Sequence, residues 1–278
     1  MIVSKPSELV YERNFVYFGN EILVRNHCES VSNPLTQESL PGNDVARLII
    51  SQDMASDYYS ESDYELNAFM LNEKIEFDGY RFIELRQFFW DAKYSSEKNP
   101  DAQRLVTMSA RSHSLLLQRA SFRYCPTCGT LLEDDKKLTA RFCPRCQRQI
   151  FPRIEPCIIT LVSRGDEYLL VQNKAMARSG KFACVAGFVE QGETIEECVM
   201  REVLEETNIR VKNIRYCGSQ AWPFPDQLMI AFKCDYESGE LKLQEEELCD
   251  GGWFRKDNLP ESLPLPGSVA YNLIYAEL

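Results

Sequence analysis

The stretch Gly187-Phe-Val-Glu-Gln-Gly192-Glu193-Thr-Ile-Glu-Glu-Cys-Val-Met-Arg201-Glu202-Val-Leu-Glu205-Glu206-Thr-Asn208-Ile209 sets a glycine turn, a helix start and a carboxylate cluster in one register. Thr194 followed three residues later by Glu197 has the spacing of a capping box. The segment therefore reads as a loop over Gly187–Gly192 and a helix over Thr194–Thr207. On that helix Glu202 and Glu206 lie one turn apart and Glu205 three residues from Glu202, so all three fall within an arc of roughly 100°. Like charges so placed repel by about 0.2–0.5 kcal/mol per pair on an exposed helix. A solvated acidic face is physically possible at that cost. The alternative is a site for divalent metal, since hard carboxylate oxygens suit Mg²⁺ or Mn²⁺, which keep several waters and bridge to substrate phosphates.

The whole register resembles the Nudix hydrolase signature: Gly, five residues, Glu, seven residues, then Arg-Glu-aliphatic-x-Glu-Glu-x-Gly-aliphatic. One position departs, Asn208 for glycine just after the helix. Asparagine enters the left-handed region more readily than other non-glycine residues, so the helix can still end there. The resemblance implies an α/β fold, a mixed sheet sandwiched by helices. It also implies that Glu202 and Glu206 are metal ligands with Glu205 close by, that one of these glutamates is the general base, and that the Ala186 carbonyl and Glu247 complete a Mg²⁺ or Mn²⁺ shell. Glu193 and Arg201 match the family's fixed pair, and are assigned to an ion pair holding loop against helix.

Upstream stand Cys125-Pro-Thr-Cys128 and, fourteen residues on, Cys143-Pro-Arg-Cys146. Two CxxC knuckles at that separation read as a tetrahedral Cys₄ zinc site with no open position, hence structural. A redox pair would normally stand alone beside a βαβ unit.

A third signal is Ser219-Gln220-Ala221-Trp222-Pro223-Phe224-Pro225-Asp226-Gln227. Its prolines block regular helix, and by composition alone it reads as a turn packing aromatics into a core. It also resembles the Ser-Gln-Pro-Trp-Pro-Phe-Pro-x-Ser array of the NADH pyrophosphatase, NudC-type branch of Nudix hydrolases, with Ala221 and Gln227 as departures. That branch carries the same zinc site in the same order. The resemblance runs from about Tyr124 to the C-terminus and implies substrate contacts along Gln220–Gln227. It further implies that Phe188 and, from a partner subunit, Phe151 stack on nicotinamide, and that Ala270 in Pro266-Gly-Ser-Val-Ala270 lines the site. The expected activity is metal-dependent cleavage of NADH or NAD⁺ to nicotinamide mononucleotide and AMP, with removal of NAD caps from RNA, by a homodimer. Another nucleoside diphosphate derivative, such as ADP-ribose, a nucleotide sugar or a dinucleoside polyphosphate, is the alternative substrate. A zinc-ribbon binding module with a vestigial Nudix fold is disfavoured because the metal carboxylates are intact.

At 278 residues and 44% hydrophobic content the chain can bury more than one core. It has no run of about 18 apolar residues, and its start, Met-Ile-Val-Ser-Lys-Pro-Ser-Glu, has no signal-peptide pattern. Beyond the four zinc cysteines, Cys28, Cys157, Cys184, Cys198, Cys217, Cys234 and Cys249 are scattered and odd in number, as reduced cytoplasmic thiols would be. Histidine chemistry is improbable with only His27 and His113. A net charge of −11 disfavours generic nucleic-acid binding. A basic island around the zinc site (Arg111, Arg119, Arg123, Lys136, Lys137, Arg141, Arg145, Arg148, Arg153) is opposed only by Glu133, Asp134 and Asp135. It can receive phosphates or pair with acidic surface elsewhere.

Three domains are expected: 1–120, which the resemblance implies is Nudix-like and which shows no carboxylate box; 121–153, the zinc ribbon; and 154–278, catalytic. In the first, strands are expected at Phe15–Phe18, Ile22–Val24 and Ala46–Ile50, a surface connection over Asp53–Glu65, and a helix from about Asp101 to Arg119. In the last, Pro156–Val162 and Tyr168–Val171 read as a hairpin, with further strands over Phe182–Val189 and Leu228–Cys234.

Overall fold

A computed structural model describes residues 9, 11–26, 39–61, 65–96, 100–135, 137–174 and 180–275. His27, Cys28 and Lys136 lie outside the described residues. The chain divides into two compact units, Met1–Arg153 with Pro223–Asp226, and Ile154–Trp222 with Gln227–Leu278. No described helix is long and apolar enough to cross a membrane.

The first unit holds β1 (Arg13–Phe18), β2 (Glu21–Arg25), α1 (Asn43–Ser51), β3 (Ala55–Glu61), β4 (Leu66–Leu71), β5 (Tyr80–Glu84), α2 (Leu85–Ser96) and α3 (Pro100–Ser121). Its strands form a sheet in the order β3-β4-β1-β2-β5, with β1 and β4 parallel and the other pairs antiparallel. Both faces are covered, and the strand residues divide between them with period two. Phe15, Tyr17, Ile22 and Val24 pack with Leu85, Phe88, Leu105 and Met108 of α2 and α3. Val16, Leu23 and Phe69 pack with Val45, Ala46 and Ile49 of α1.

Two expectations are corrected here. Ala46–Ile50 is helix rather than strand: Val45, Ala46 and Ile49 bury one helical face, with Asp44 in the first turn. The Asp53–Glu65 segment is not a surface connection, because Ala55–Glu61 is strand β3. Its acidic character suits its place at the sheet edge, where charge discourages further pairing, while Tyr58 reaches the core.

A small three-stranded sheet follows, β6 (Glu133–Asp134), β7 (Arg141–Cys143) and β8 (Arg148–Ile150). Each cysteine knuckle closes in the same way. Gly129 N donates to Cys125 O and Gln147 N to Cys143 O, both at 2.9 Å, and both donors have left-handed backbone, at φ 70° and 55°.

The second unit contains β9 (Glu155–Arg164), β10 (Glu167–Asn173), β11 (Val185–Phe188), α4 (Ile195–Thr207), β12 (Arg210–Trp222), β13 (Gln227–Ser238), β14 (Leu248–Arg255) and α5 (Val269–Ile274). The sheet runs β12-β13-β9-β10-β14, with β11 also on β9, and only β13–β9 is parallel. Ile158 and Val162 of β9 face Cys198, Val199 and Val203 of α4. Ile159 and Leu161 face Val269, Leu273 and Ile274 of α5. The expected hairpin is the β9–β10 pair, and a mixed sheet does lie between helices. The expected loop is shorter than Gly187–Gly192, because Gly187 pairs with Ile158 and Phe188 with Cys157.

A candidate metal and diphosphate site

Helix α4 begins with the expected reciprocal cap: Glu197 N donates to Thr194 Oγ1 at 3.2 Å and Thr194 N to Glu197 Oε2 at 2.7 Å. It ends at Asn208, φ 58° and ψ 20°. The asparagine adds a bond that glycine lacks, from Nδ2 to Glu240 O at 3.0 Å. Beyond the helix, Lys242 N and Gln244 N donate to the carbonyls of Thr207 and Glu206. These bonds carry the chain past the helix end toward Glu247.

Arg201 ties the helix to the strand in front of it. Its Nε and Nη2 each donate to a different oxygen of Glu193 at 2.9 Å, and Nη2 also reaches the Phe188 carbonyl at 2.9 Å. The planar fork of arginine suits such a bidentate pairing. The pairing holds the Glu193 carboxyl at about 2, first through the Arg201 bond. Arg201 extends further than the sequence suggested. Nη1 donates to Glu202 at 2.8 Å and to Glu205 at 3.1 Å. The i,i+4 spacing of Arg201 and Glu205 was the available signal.

The three helix glutamates differ in exposure. Glu206 is 3% exposed, whereas the Glu205 side chain is 55% exposed. Burial first, then the charges of Glu202 and Glu247, push the Glu206 carboxyl up to about 8. Burial also raises Glu202, against the opposing pull of Arg201 and with Glu205 and Glu247 adding to it. Glu202, Glu206 and Glu247 thus share one field. Gly187 backs this group, because a Cβ there would fall inside the Glu202 carboxyl. Ala186 precedes it in β11, paired with Ile159. Cys157, read in the sequence only as a scattered thiol, is buried where Glu202 and Glu206 add to the burial that pushes its thiol up to about 12.

Among the described residues, the four cysteines alone form a group of three or more metal-ligating side chains whose donor atoms all lie within 4.8 Å of one another. Cys128 and Cys143 sulfurs are 3.6 Å apart and those of Cys125 and Cys146 3.9 Å. Zn–S bonds of about 2.3 Å in a tetrahedron require roughly 3.8 Å between sulfurs, so the cage fits zinc. The glutamates are gathered less tightly, as expected for carboxylates that repel and that Arg201 draws aside. Their hard oxygens, one of them on a buried carboxyl, nevertheless fit a divalent cation.

Of the proline-rich array, Gln220, Ala221 and Trp222 lie in β12 and Gln227 in β13, with Trp222 paired to Gln227. Pro223, Phe224, Pro225 and Asp226 form the turn between them. The Gln220 side chain donates to Gly267 O and accepts from Val269 N, both at 2.8 Å. It thus meets the Pro266–Ala270 segment, a link with no local signal in the sequence. Ala270 itself is 8% exposed inside a core cluster. Phe188, at the end of β11, is 50% exposed, and Phe151, just past β8, is 60% exposed. The two phenylalanines belong to different compact units.

Residues 153–276 match the NUDIX domain. The chain is 43% identical over 200 residues to the NAD-capped RNA hydrolase NudC of Yersinia pestis (strain Pestoides F), covering 72% of this chain and 76% of that protein. The chain belongs to the NudC-type branch of the Nudix family. The NAD-capped RNA hydrolase NudC of Yersinia enterocolitica is 46% identical over 170 residues, 61% of this chain and 64% of that relative. A solved NUDIX hydrolase from Nitrosomonas europaea is 25% identical with a TM-score of 0.44, covering 50% of this chain and 81% of its own.

Proposed function

We propose that the protein hydrolyses the diphosphate of NADH or NAD⁺ to nicotinamide mononucleotide and AMP, and removes NAD caps from RNA. The observation that carries this reading is the pair Glu202 and Glu206 on α4, with the charge of Glu247 acting on both, in a chain 43% identical to a protein named for NAD-cap hydrolysis. Glu202, Glu206, Glu247 and the Ala186 carbonyl would hold Mg²⁺ or Mn²⁺, with Glu205 beside them. A cation held there would supply charge neutralisation for the diphosphate and activation of the attacking water. One of Glu202, Glu205 and Glu206 takes the proton as the water oxygen attacks phosphorus. The bridging P–O bond then breaks, and the electron pair leaves with the other phosphate. Arg201 keeps Glu202 and Glu205 oriented, and burial excludes competing water at Glu206.

The segment Gln220–Gln227, with Phe188, Ala270 and a partner subunit's copy of Phe151, forms the dinucleotide site of a homodimer. Cys125, Cys128, Cys143 and Cys146 hold a structural Zn²⁺, supported by their sulfur spacings. The domain division at 1–120, 121–153 and 154–278 belongs to the same reading. A reducing cytoplasmic setting agrees with ten described cysteines that form no disulfide. The test is kcat/KM on NADH, NAD⁺, NAD-capped RNA and ADP-ribose. A clear preference for the nicotinamide-bearing substrates is expected, and a flat profile overturns the reading.

A further inference from the structure

The turn Pro223–Asp226 belongs to the first compact unit, and α2 and α3 supply partners to its successive residues. Phe224 packs against the core cluster that contains α2 and α3. Its ring centroid lies 5.9 Å from that of Phe89, and the Arg86 guanidinium carbon stands 4.7 Å from it, within cation–π range. Ser114 Oγ donates to the Pro225 carbonyl at 3.0 Å. Beside Ser114, His113 is fully buried, its Nε2 2.8 Å from Gly19 O, while its Nδ1 has no hydrogen-bond partner among the described residues. Phe224 and Pro225 are thus each engaged by different side chains. Closing a hairpin requires none of this, because the Trp222–Gln227 pairing already ends the ladder.

We infer that α2 and α3 position the Trp-Pro-Phe-Pro array for substrate. Arg86, Phe89 and Ser114 are positioning residues, and Phe224 is the anchor they grip. The first unit thereby contributes to dinucleotide affinity through the array. This rests on the assignment of the array to dinucleotide recognition. It gives the amino-terminal part of the chain a task that its own sequence does not announce.

The test uses the full chain with Arg86→Ala and Ser114→Ala, singly and together, and Arg86→Lys with Ser114→Thr as conservative partners. Neither position is in the buried core, and unchanged thermal melting confirms an intact fold. Two readouts are taken: amide hydrogen exchange of the 219–228 peptide, and KM separately from kcat on NADH. In the double alanine variant the turn amides exchange faster and KM rises about 3- to 10-fold, the scale of one or two lost polar contacts. kcat stays within about twofold, and the conservative pair restores both. Unchanged exchange and KM at unchanged melting overturn the inference, as does a fall in kcat with KM constant. Wild-type protein that fails to cleave NADH overturns the substrate reading instead, and the exchange result then decides the positioning alone.

Discussion

Gly187 illustrates how one absent side chain fixes a site. Its backbone is held by pairing with Ile158, and a Cβ would overlap the Glu202 carboxyl, so Gly187→Ala forces Glu202 off its present rotamer. Overpacking of this kind costs about 1–3 kcal/mol. The expected outcome is a moderate fall in melting temperature with at least a ~10-fold loss of kcat on NADH, and near-normal kcat would detach Glu202 from the chemistry. Glu206 makes a second case. Glu206→Gln keeps shape and should retain dinucleotide binding while losing at least ~10²-fold in kcat; full activity in metal-saturated buffer would remove its assigned role. Its raised carboxyl also has a sign. The native chain keeps a proton up to about 8 that an ordinary carboxyl releases near 4.5. Its contribution to stability without added divalent cation is therefore fully present below about 4.5 and is lost as pH rises through about 8. Melting in that window should decline more steeply for wild type than for Glu206→Gln, and Mg²⁺ affinity of wild type should climb over the same range. Parallel melting curves for the two proteins would contradict this.

Helix α4 was legible almost residue by residue because its signals are local: the Thr194–Glu197 box, the left-handed Asn208 and the Glu193–Arg201 pair all act within one turn or across one loop. Asn208→Ala should cost about 1–2 kcal/mol, losing the Glu240 bond while keeping an unfavourable backbone region, and Asn208→Gly should cost less. Urea titration ranks the two, and equal costs would mean that the cap geometry carries no weight. The cysteine knuckles were legible for the same reason, since spacing alone brings four sulfurs together. Each chain should therefore carry one zinc by elemental analysis, and Cys143→Ser should unfold the ribbon or abolish soluble expression; protein purified without chelator and lacking zinc would exclude it. What sequence did not disclose depends on partners far along the chain. Ala46–Ile50 has the apolar content of a strand, yet its neighbours complete a helical face against β1 and β4. The acidic run before Glu65 conceals an edge strand whose inward tyrosine finds a core supplied by other elements. Gln220's bonds to Gly267 and Val269 join residues almost fifty positions apart.

At the scale of the whole molecule the proposed function predicts that one chain does not suffice. Phe151 stands 60% exposed on the ribbon with Leu138 and Tyr124 also exposed, and under the proposed function it stacks on nicotinamide in the site of a partner subunit. If the dinucleotide site is shared, Phe151 acts on a glutamate helix that is not its own. Ring stacking contributes about 0.5–1.5 kcal/mol beyond area burial, so Phe151→Ala should raise KM for NADH several-fold and leave ADP-ribose, which lacks nicotinamide, nearly unchanged. Mixing the two defective proteins, Glu206→Gln and Phe151→Ala, makes the stronger experiment. A hybrid dimer then has one site with both defects and one with neither. After subunits exchange, a fraction of wild-type NADH affinity should return, growing with the proportion of hybrids. A cis arrangement gives the opposite result, since each site in the mixture keeps the single defect of its own chain and no high-affinity turnover appears. Light scattering at the assay concentration fixes the interpretation: a monomer fully active on NADH rules out the shared site.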